Sequence, residues 1–146
     1  AAPGRALVLG GVTFESAWGL EGHSDADVLA HAIGDALLGA AALGDLGTHF
    51  PPGDPRGKDA SSLDLLARIR VLLDERGARI VNVDAAVVAE TPRLAPVRGR
   101  MGENLARALG IDPDAVSVKA TTNEGLGAVG RGEGIAAWAV ALVETR

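Results

Sequence analysis

Gly22-His23-Ser24-Asp25-Ala26-Asp27-Val28-Leu29-Ala30-His31-Ala32-Ile33-Gly34-Asp35 opens polar and turns into a run rich in alanine and leucine that continues without proline to about Leu43. Acids at the start of such a run suit the positive end of a helix dipole, so a helix is expected from Asp25 or Asp27 to about Leu43. Asp27, His31 and Asp35 then follow at i, i+4 and i+8 along one stripe, while Val28, Ala32, Ala36, Leu37 and Ala40 can supply the buried side. A carboxylate one turn away can orient an imidazole or join it in holding a metal. The same residues also read as a helix cap with a solvated face. No His-Glu-x-x-His pair and no second histidine at ligand spacing accompany His31 on this helix.

Working outward from this helix, Arg5 to Val12 is apolar, broken by Gly10-Gly11, and reads as a strand or hairpin arm ending near Phe14. After the helix, Gly44-Asp45-Leu46-Gly47 marks a stop, and His49 to Arg56 carries too many prolines for a regular element, which makes it a loop able to cover a site. Ser61 or Ser62 can cap a second helix, Leu63 to Arg76, whose Leu65, Leu66, Ile69, Leu72 and Leu73 repeat at helical spacing until Gly77 ends it. Ile80 to Glu90 alternates and is valine-rich, as a strand is, and Thr91-Pro92-Arg93 breaks it. A third helix is expected from about Pro96 to Leu109, and strands from Val116 to Ala120 and Ile135 to Val143. The order β-α-α-β-α-β-β gives an α+β class with a mixed sheet, in one domain spanning 1–146.

The chain has 146 residues, which suits a single core. Aromatics are only 3% against 47% hydrophobic residues, so that core must be built from aliphatic side chains. A net charge of −5 without any Lys/Arg cluster argues against a nucleic-acid partner, because phosphate backbones need a basic footprint. With no cysteine, disulfides and thiolate ligands are excluded, leaving His, Asp and Glu as the ligands for zinc. No apolar run reaches the roughly 20 residues that span a bilayer, and the first residues lack a secretory pattern, so a soluble protein is expected.

Other constellations are ambiguous singly. Gly125-x-Gly127-x-x-Gly130 matches the dinucleotide fingerprint in spacing, but that fingerprint needs a helix directly after the glycines, whereas a strand is expected next. A turn with close backbone packing is the better reading, with Arg131 and Glu133 as a local ion pair or interface residues. Thr121-Thr122-x-Glu124 offers two hydroxyls and a carboxylate at a strand end, or simply a polar terminus.

Taken in order, these pieces are specific. His23-Ser24-Asp25-Ala26-Asp27, His31, Asp35 to Gly47, Phe50-Pro51, Lys119-Ala120-Thr121-Thr122-x-Glu124-x-Leu126-Gly127 and Gly130-Arg131-Gly132-Glu133-Gly134 together resemble the 2-C-methyl-D-erythritol 2,4-cyclodiphosphate synthase family, essentially from the first strand to the end. The resemblance implies an enzyme of the non-mevalonate isoprenoid pathway that closes 4-diphosphocytidyl-2-C-methyl-D-erythritol 2-phosphate into a cyclic diphosphate and releases CMP. It also implies a homotrimer with sites between subunits, a four-stranded mixed sheet turned toward the axis with helices on one face, a zinc ion, and a second divalent cation, magnesium or manganese. A bacterial cytoplasm, or a plastid in a plant or alga, is the implied location. A non-catalytic trimeric binding protein for a nucleotide or isoprenoid diphosphate is the alternative.

Carried over by position, His31 would be a zinc ligand, the family's other two standing in an Asp-x-His pair on an N-terminal strand that would precede Ala1. His23 and Thr122 would position phosphate and stabilise the transition state. Ser24, Asp45, Leu46, Gly47, Phe50 and Asp54 would contact substrate, Asp45 and Gly47 at the methylerythritol part and Phe50 to Asp54 as a flexible loop. Ala89, Pro92, Arg93, Leu94 and Thr121 would form the cytidine and diphosphate pocket from a neighbouring subunit, and Asn123 would also contact substrate. Glu124 would hold the second cation between phosphates, and Arg131 and Glu133 would lie near the trimer axis, where phosphate or an isoprenoid diphosphate binds. Four features depart from the family pattern: the Asp-x-His pair is missing from the chain as given, the loop reads Phe50-Pro51-Pro52-Gly53-Asp54-Pro55, Arg93 replaces the common lysine, and Ala128 stands where an aromatic is frequent.

Overall fold

The computed structural model describes residues 1–15, 18–19, 26–54 and 61–146. The long strand β5 (Ala78–Val88) lies at the centre of a three-stranded sheet, parallel to β6 (Val116–Thr121) and antiparallel to β7 (Ala136–Thr145). Ahead of it come two short antiparallel pairs, β1 (Ala2–Pro3) with β4 (Trp18–Gly19) and β2 (Leu7–Leu9) with β3 (Val12–Phe14). The helices are α1 (Val28–Ala40), α2 (Leu46–His49), α3 (Ser62–Arg76), α4 (Arg98–Leu109) and the single turn α5 (Gly127–Gly130). The α+β class and mixed sheet are as expected, but among the described residues the main sheet has three strands, not four. Gly10 and Gly11 both take left-handed backbone (φ 56° and 72°), so the first apolar run folds back on itself as a hairpin instead of extending along the sheet.

Local chemistry accounts for the helix ends. Asp27 caps α1 by accepting from Ala30 N at 3.0 Å. At the other end Ala42 turns left-handed (φ 57°), Ala42 N–H donates to Gly39 O and Leu43 N–H to Leu38 O, and α1 stops at Ala40, short of the expected Leu43. Ser61 caps α3, and left-handed Gly77 closes it as expected. Asp45, whose side chain accepts from Thr48 N, starts α2 where a plain loop is expected from sequence. A 3-10 turn (Ala95–Val97) leads into α4.

Alternation along β5 points Val83, Ala85 and Val87 into a core shared with Leu29, Ile33 and Leu37 of α1, Leu66, Ile69 and Leu73 of α3, and Met101, Leu105 and Leu109 of α4. Gly34 lets α1 and α3 approach closely, since a Cβ there would stand 2.9 Å from Ile69 Cδ1. The opposite face of β7 is different: Trp138, Val140 and Leu142 are 62%, 73% and 57% exposed, an apolar stripe that no described residue covers. No helix among the described residues is long and apolar enough to cross a membrane.

Candidate functional site

The C-terminal ends of the parallel strands β5 and β6 meet at one edge, and the backbone N–H of Ala89 donates to Thr121 O at 3.0 Å to hold them together. The chain then turns through Thr91-Pro92 and packs Leu94 down, buried, beside buried Ala89. A pocket of about 170 Å³ results, lined by Ala89, Glu90, Pro92, Arg93, Leu94, Ala95, Ala120, Thr121 and Thr122. Ala89, Pro92, Arg93, Leu94 and Thr121, expected to share a pocket, line one cavity, and Thr122, expected beside His23, lines it too. Its floor is apolar, while an exposed guanidinium and two exposed hydroxyls stand at its rim.

From Thr121 the chain enters a turn that is hydrogen-bonded at every step. Asn123 N–H donates to Glu90 Oε2 at 2.7 Å, Glu124 N–H to Thr122 Oγ1 at 3.2 Å, and Gly125 N–H to Glu90 Oε1 at 3.0 Å. The Asn123 amide donates to Leu126 O at 2.7 Å. Glu124 itself has φ 51°, a left-handed conformation that a residue with a Cβ rarely adopts, and its side chain is exposed next to the pocket rim. Close backbone packing in the glycine-rich stretch is confirmed, since a Cβ on Gly130 would stand 2.2 Å from Gly125 C. Within the glycine stretch a single helical turn, α5, forms where a plain turn is expected, and at four residues it is too short for a dinucleotide fold; the strand β7 follows at Ala136, as expected. Arg131 and Glu133 form a local ion pair (Nε to Oε2 2.9 Å), both well exposed, a pairing that contributes little to stability.

The helix side is arranged differently from the spacing argument. Asp27 is fully buried and accepts from Gly10 N, Gly11 N and Ala30 N, so it ties the β2–β3 turn to the start of α1. Asp35 accepts from Leu46 N at 2.8 Å and fixes α2. His31 Nε2 lies 2.9 Å from Oγ of buried Ser62, across the α1–α3 contact. Asp45, Leu46, Gly47 and half-buried Phe50 gather around α2, and Asp54 N–H closes a turn onto Pro51 O. None of these comes from the strands that wall the pocket. His23 and Ser24 lie outside the described residues.

Hydrogen bonds from the Thr48 hydroxyl at 2.8 Å and then its backbone N–H at 2.9 Å pull the Asp45 carboxyl below its ordinary value of 3.8. A folded value below the unfolded one means that the cap's contribution is complete above 3.8 and is lost as pH falls through the lowered value. In an NMR pH series the Thr48 amide is therefore expected to titrate with a midpoint under 3.8; a midpoint at or above it contradicts the cap.

Among the described residues no group of three His, Asp or Glu side chains is placed to hold a metal ion. Zinc takes roughly three or four protein ligands, and one imidazole at His31 does not make such a site. Magnesium or manganese is commonly held by about one or two carboxylates plus substrate phosphates, and exposed Glu124, on the turn that Glu90 of the pocket binds, fits that demand. Glu90 is the residue that sequence reasoning missed. Its only signal was an acid at a strand end directly before a Thr-Pro break.

A small apolar pocket at strand ends, rimmed by hydroxyls, an arginine and a carboxylate, belongs to a small-molecule enzyme of the α+β class. The chain belongs to the YgbB family, whose sequence model matches residues 1–144. A protein of Symbiobacterium thermophilum named 2-C-methyl-D-erythritol 2,4-cyclodiphosphate synthase is 61% identical over 99% of this chain and 92% of its own length. One of the same name from Thermosynechococcus vestitus is 59% identical over 98% of this chain and 89% of its own. Among solved structures, the bifunctional IspDF of Campylobacter jejuni superposes with a TM-score of 0.94 at 40% identity, over 99% of this chain and 39% of that one. The CDP complex of IspF from Plasmodium falciparum gives 0.84 at 33% identity, over 97% of this chain and 85% of that one.

Proposed function

We infer that this protein converts 4-diphosphocytidyl-2-C-methyl-D-erythritol 2-phosphate to 2-C-methyl-D-erythritol 2,4-cyclodiphosphate and CMP. The observation that carries the reading is the placement, in a chain of this family, of the Ala89–Thr122 pocket directly beside the turn bearing Glu124. In the reaction an oxygen of the 2-phosphate attacks the β-phosphorus, the β-phosphorus to bridging-oxygen bond breaks, and CMP leaves with that oxygen. Positioning and charge neutralisation supply most of the rate in such a transfer.

The cytosine would lie on Ala89, Pro92 and Leu94, with the Arg93 guanidinium and the Thr121 and Asn123 side chains near the diphosphate. Thr122 would donate its hydroxyl to a phosphate oxygen, a role shared with His23, and Ser24 would contact the same end of the substrate. Asp45, Leu46, Gly47, Phe50 and Asp54 would border the methylerythritol part. Glu124 would hold magnesium or manganese, which when bound neutralises charge building on the phosphates. His31 is the proposed contribution to zinc, and no step here runs through that ion.

A homotrimer with sites between subunits accords with the exposed stripe of Trp138, Val140 and Leu142, which copies packed around an axis would bury. On the same face Lys119 pairs with Asp84 Oδ2 at 3.0 Å, while Oδ1 is shielded without a donor among the described residues, as a group awaiting a neighbour would be. Arg131 would then stand near the axis, beside any phosphate or isoprenoid diphosphate bound there. One domain over 1–146 and residence in a bacterial cytoplasm accompany this reading. The non-catalytic binding protein is not favoured, because the relatives carry the synthase name across nearly all of this chain.

Incubated with the substrate, zinc and magnesium, the protein is expected to release CMP and the cyclic diphosphate in equal amounts while sedimenting as a trimer. No CMP from correctly folded, metal-supplied trimer would falsify the assignment.

A further inference from the structure

Glu90 sits just past the end of β5, half-buried, between the pocket and the Asn123–Gly125 turn. Both of its carboxylate oxygens are engaged by backbone, Oε2 by Asn123 N–H at 2.7 Å and Oε1 by Gly125 N–H at 3.0 Å. Between those two donors stands Glu124, and both it (φ 51°) and Gly125 (φ 76°) are left-handed. The N–H groups of Asn123 and Gly125 converge from this turn on one anion, as turn backbones do, while that of Glu124 between them donates to Thr122 Oγ1. Here the anion comes from the protein's own chain two residues past β5, through charge-assisted bonds that are the stronger kind.

We propose that Glu90 is a positioning residue that holds the Asn123–Gly125 turn in its left-handed form, and so aims the Glu124 carboxylate and the Thr122 hydroxyl at the substrate's phosphates. The proposal rests on the functional reading above and deepens it. Glu90 is bound to the turn and acts through it. A side chain with a Cβ avoids left-handed backbone unless its surroundings impose it. Without the carboxylate, the N–H groups of Asn123 and Gly125 turn to water, and Glu124 loses the constraint that keeps it beside the pocket. The bond from Ala89 N to Thr121 O remains, so the strand ends stay paired and the pocket floor stays in place.

Glu90→Ala and Glu90→Gln test this against wild type. The alanine variant is expected to lose about 10- to 50-fold in kcat, and its magnesium concentration for half-maximal rate should rise about tenfold, while CMP affinity without magnesium stays within about threefold. The glutamine variant keeps one acceptor oxygen and should fall between the two. Wild-type kcat and magnesium dependence in Glu90→Ala would overturn the proposal. So would a loss of CMP affinity as large as the loss of kcat, because the pocket itself would then depend on Glu90. If the wild type releases no CMP, the functional assignment fails by itself, and the clamp is judged by hydrogen exchange. The Asn123 and Gly125 amides should exchange about tenfold faster in Glu90→Ala, and unchanged exchange would overturn it.

Discussion

Glu124→Ala is expected to lower CMP release by about 100- to 1000-fold at saturating substrate, the scale seen when one group stabilising developing charge is removed. The side chain is exposed and holds no fold contact in the core, so the loss should appear in kcat while the unfolding midpoint hardly moves. Glu124→Gln keeps the shape and removes the charge, and it should resemble alanine because a hard cation prefers a carboxylate oxygen. Raising magnesium well above the wild-type optimum should recover part of the rate. A variant within tenfold of wild type at ordinary magnesium would place the second cation elsewhere.

Asp27→Ala carries the largest expected cost in stability. The carboxylate is fully buried and takes three backbone N–H groups, from Gly10, Gly11 and Ala30, at 3.0, 2.8 and 3.0 Å. Alanine leaves buried donors without partners and unties the hairpin from α1, a loss of about 3–5 kcal/mol. Urea denaturation followed by far-ultraviolet circular dichroism should show the midpoint falling accordingly. Asp27→Asn retains one oxygen acceptor and should lose roughly half as much. A shift under about 1 kcal/mol for alanine would mean that water replaces the carboxylate, and the cap would be ornamental.

Most regular elements were legible because they are local. Helical spacing of Leu65, Leu66, Ile69 and Leu73, a serine before them and a glycine after, suffices to bound α3, and alternation suffices for β5. The pocket residues Ala89, Pro92, Arg93, Leu94 and Thr121 are read through resemblance, and the structure brings them to one cavity and adds Thr122 to it. Asp27 and Asp35, by contrast, looked in sequence like flanks of an imidazole. Their hydrogen bonds go to a hairpin turn and to α2, because backbone donors brought from elsewhere in the chain reach those carboxylates. Glu90 was illegible for the same reason: its partners lie 33 and 35 residues away.

By itself the sequence determined the helices and strands, the aliphatic core and the set of residue types at the site, since periodicity, caps and breakers act within a few residues of one another. Tertiary structure alone decided which strands share the sheet, which carboxylate answers which backbone donor, and that Glu90 binds the turn that bears Glu124. Those are long-range choices, settled by what the packed core brings within hydrogen-bond reach.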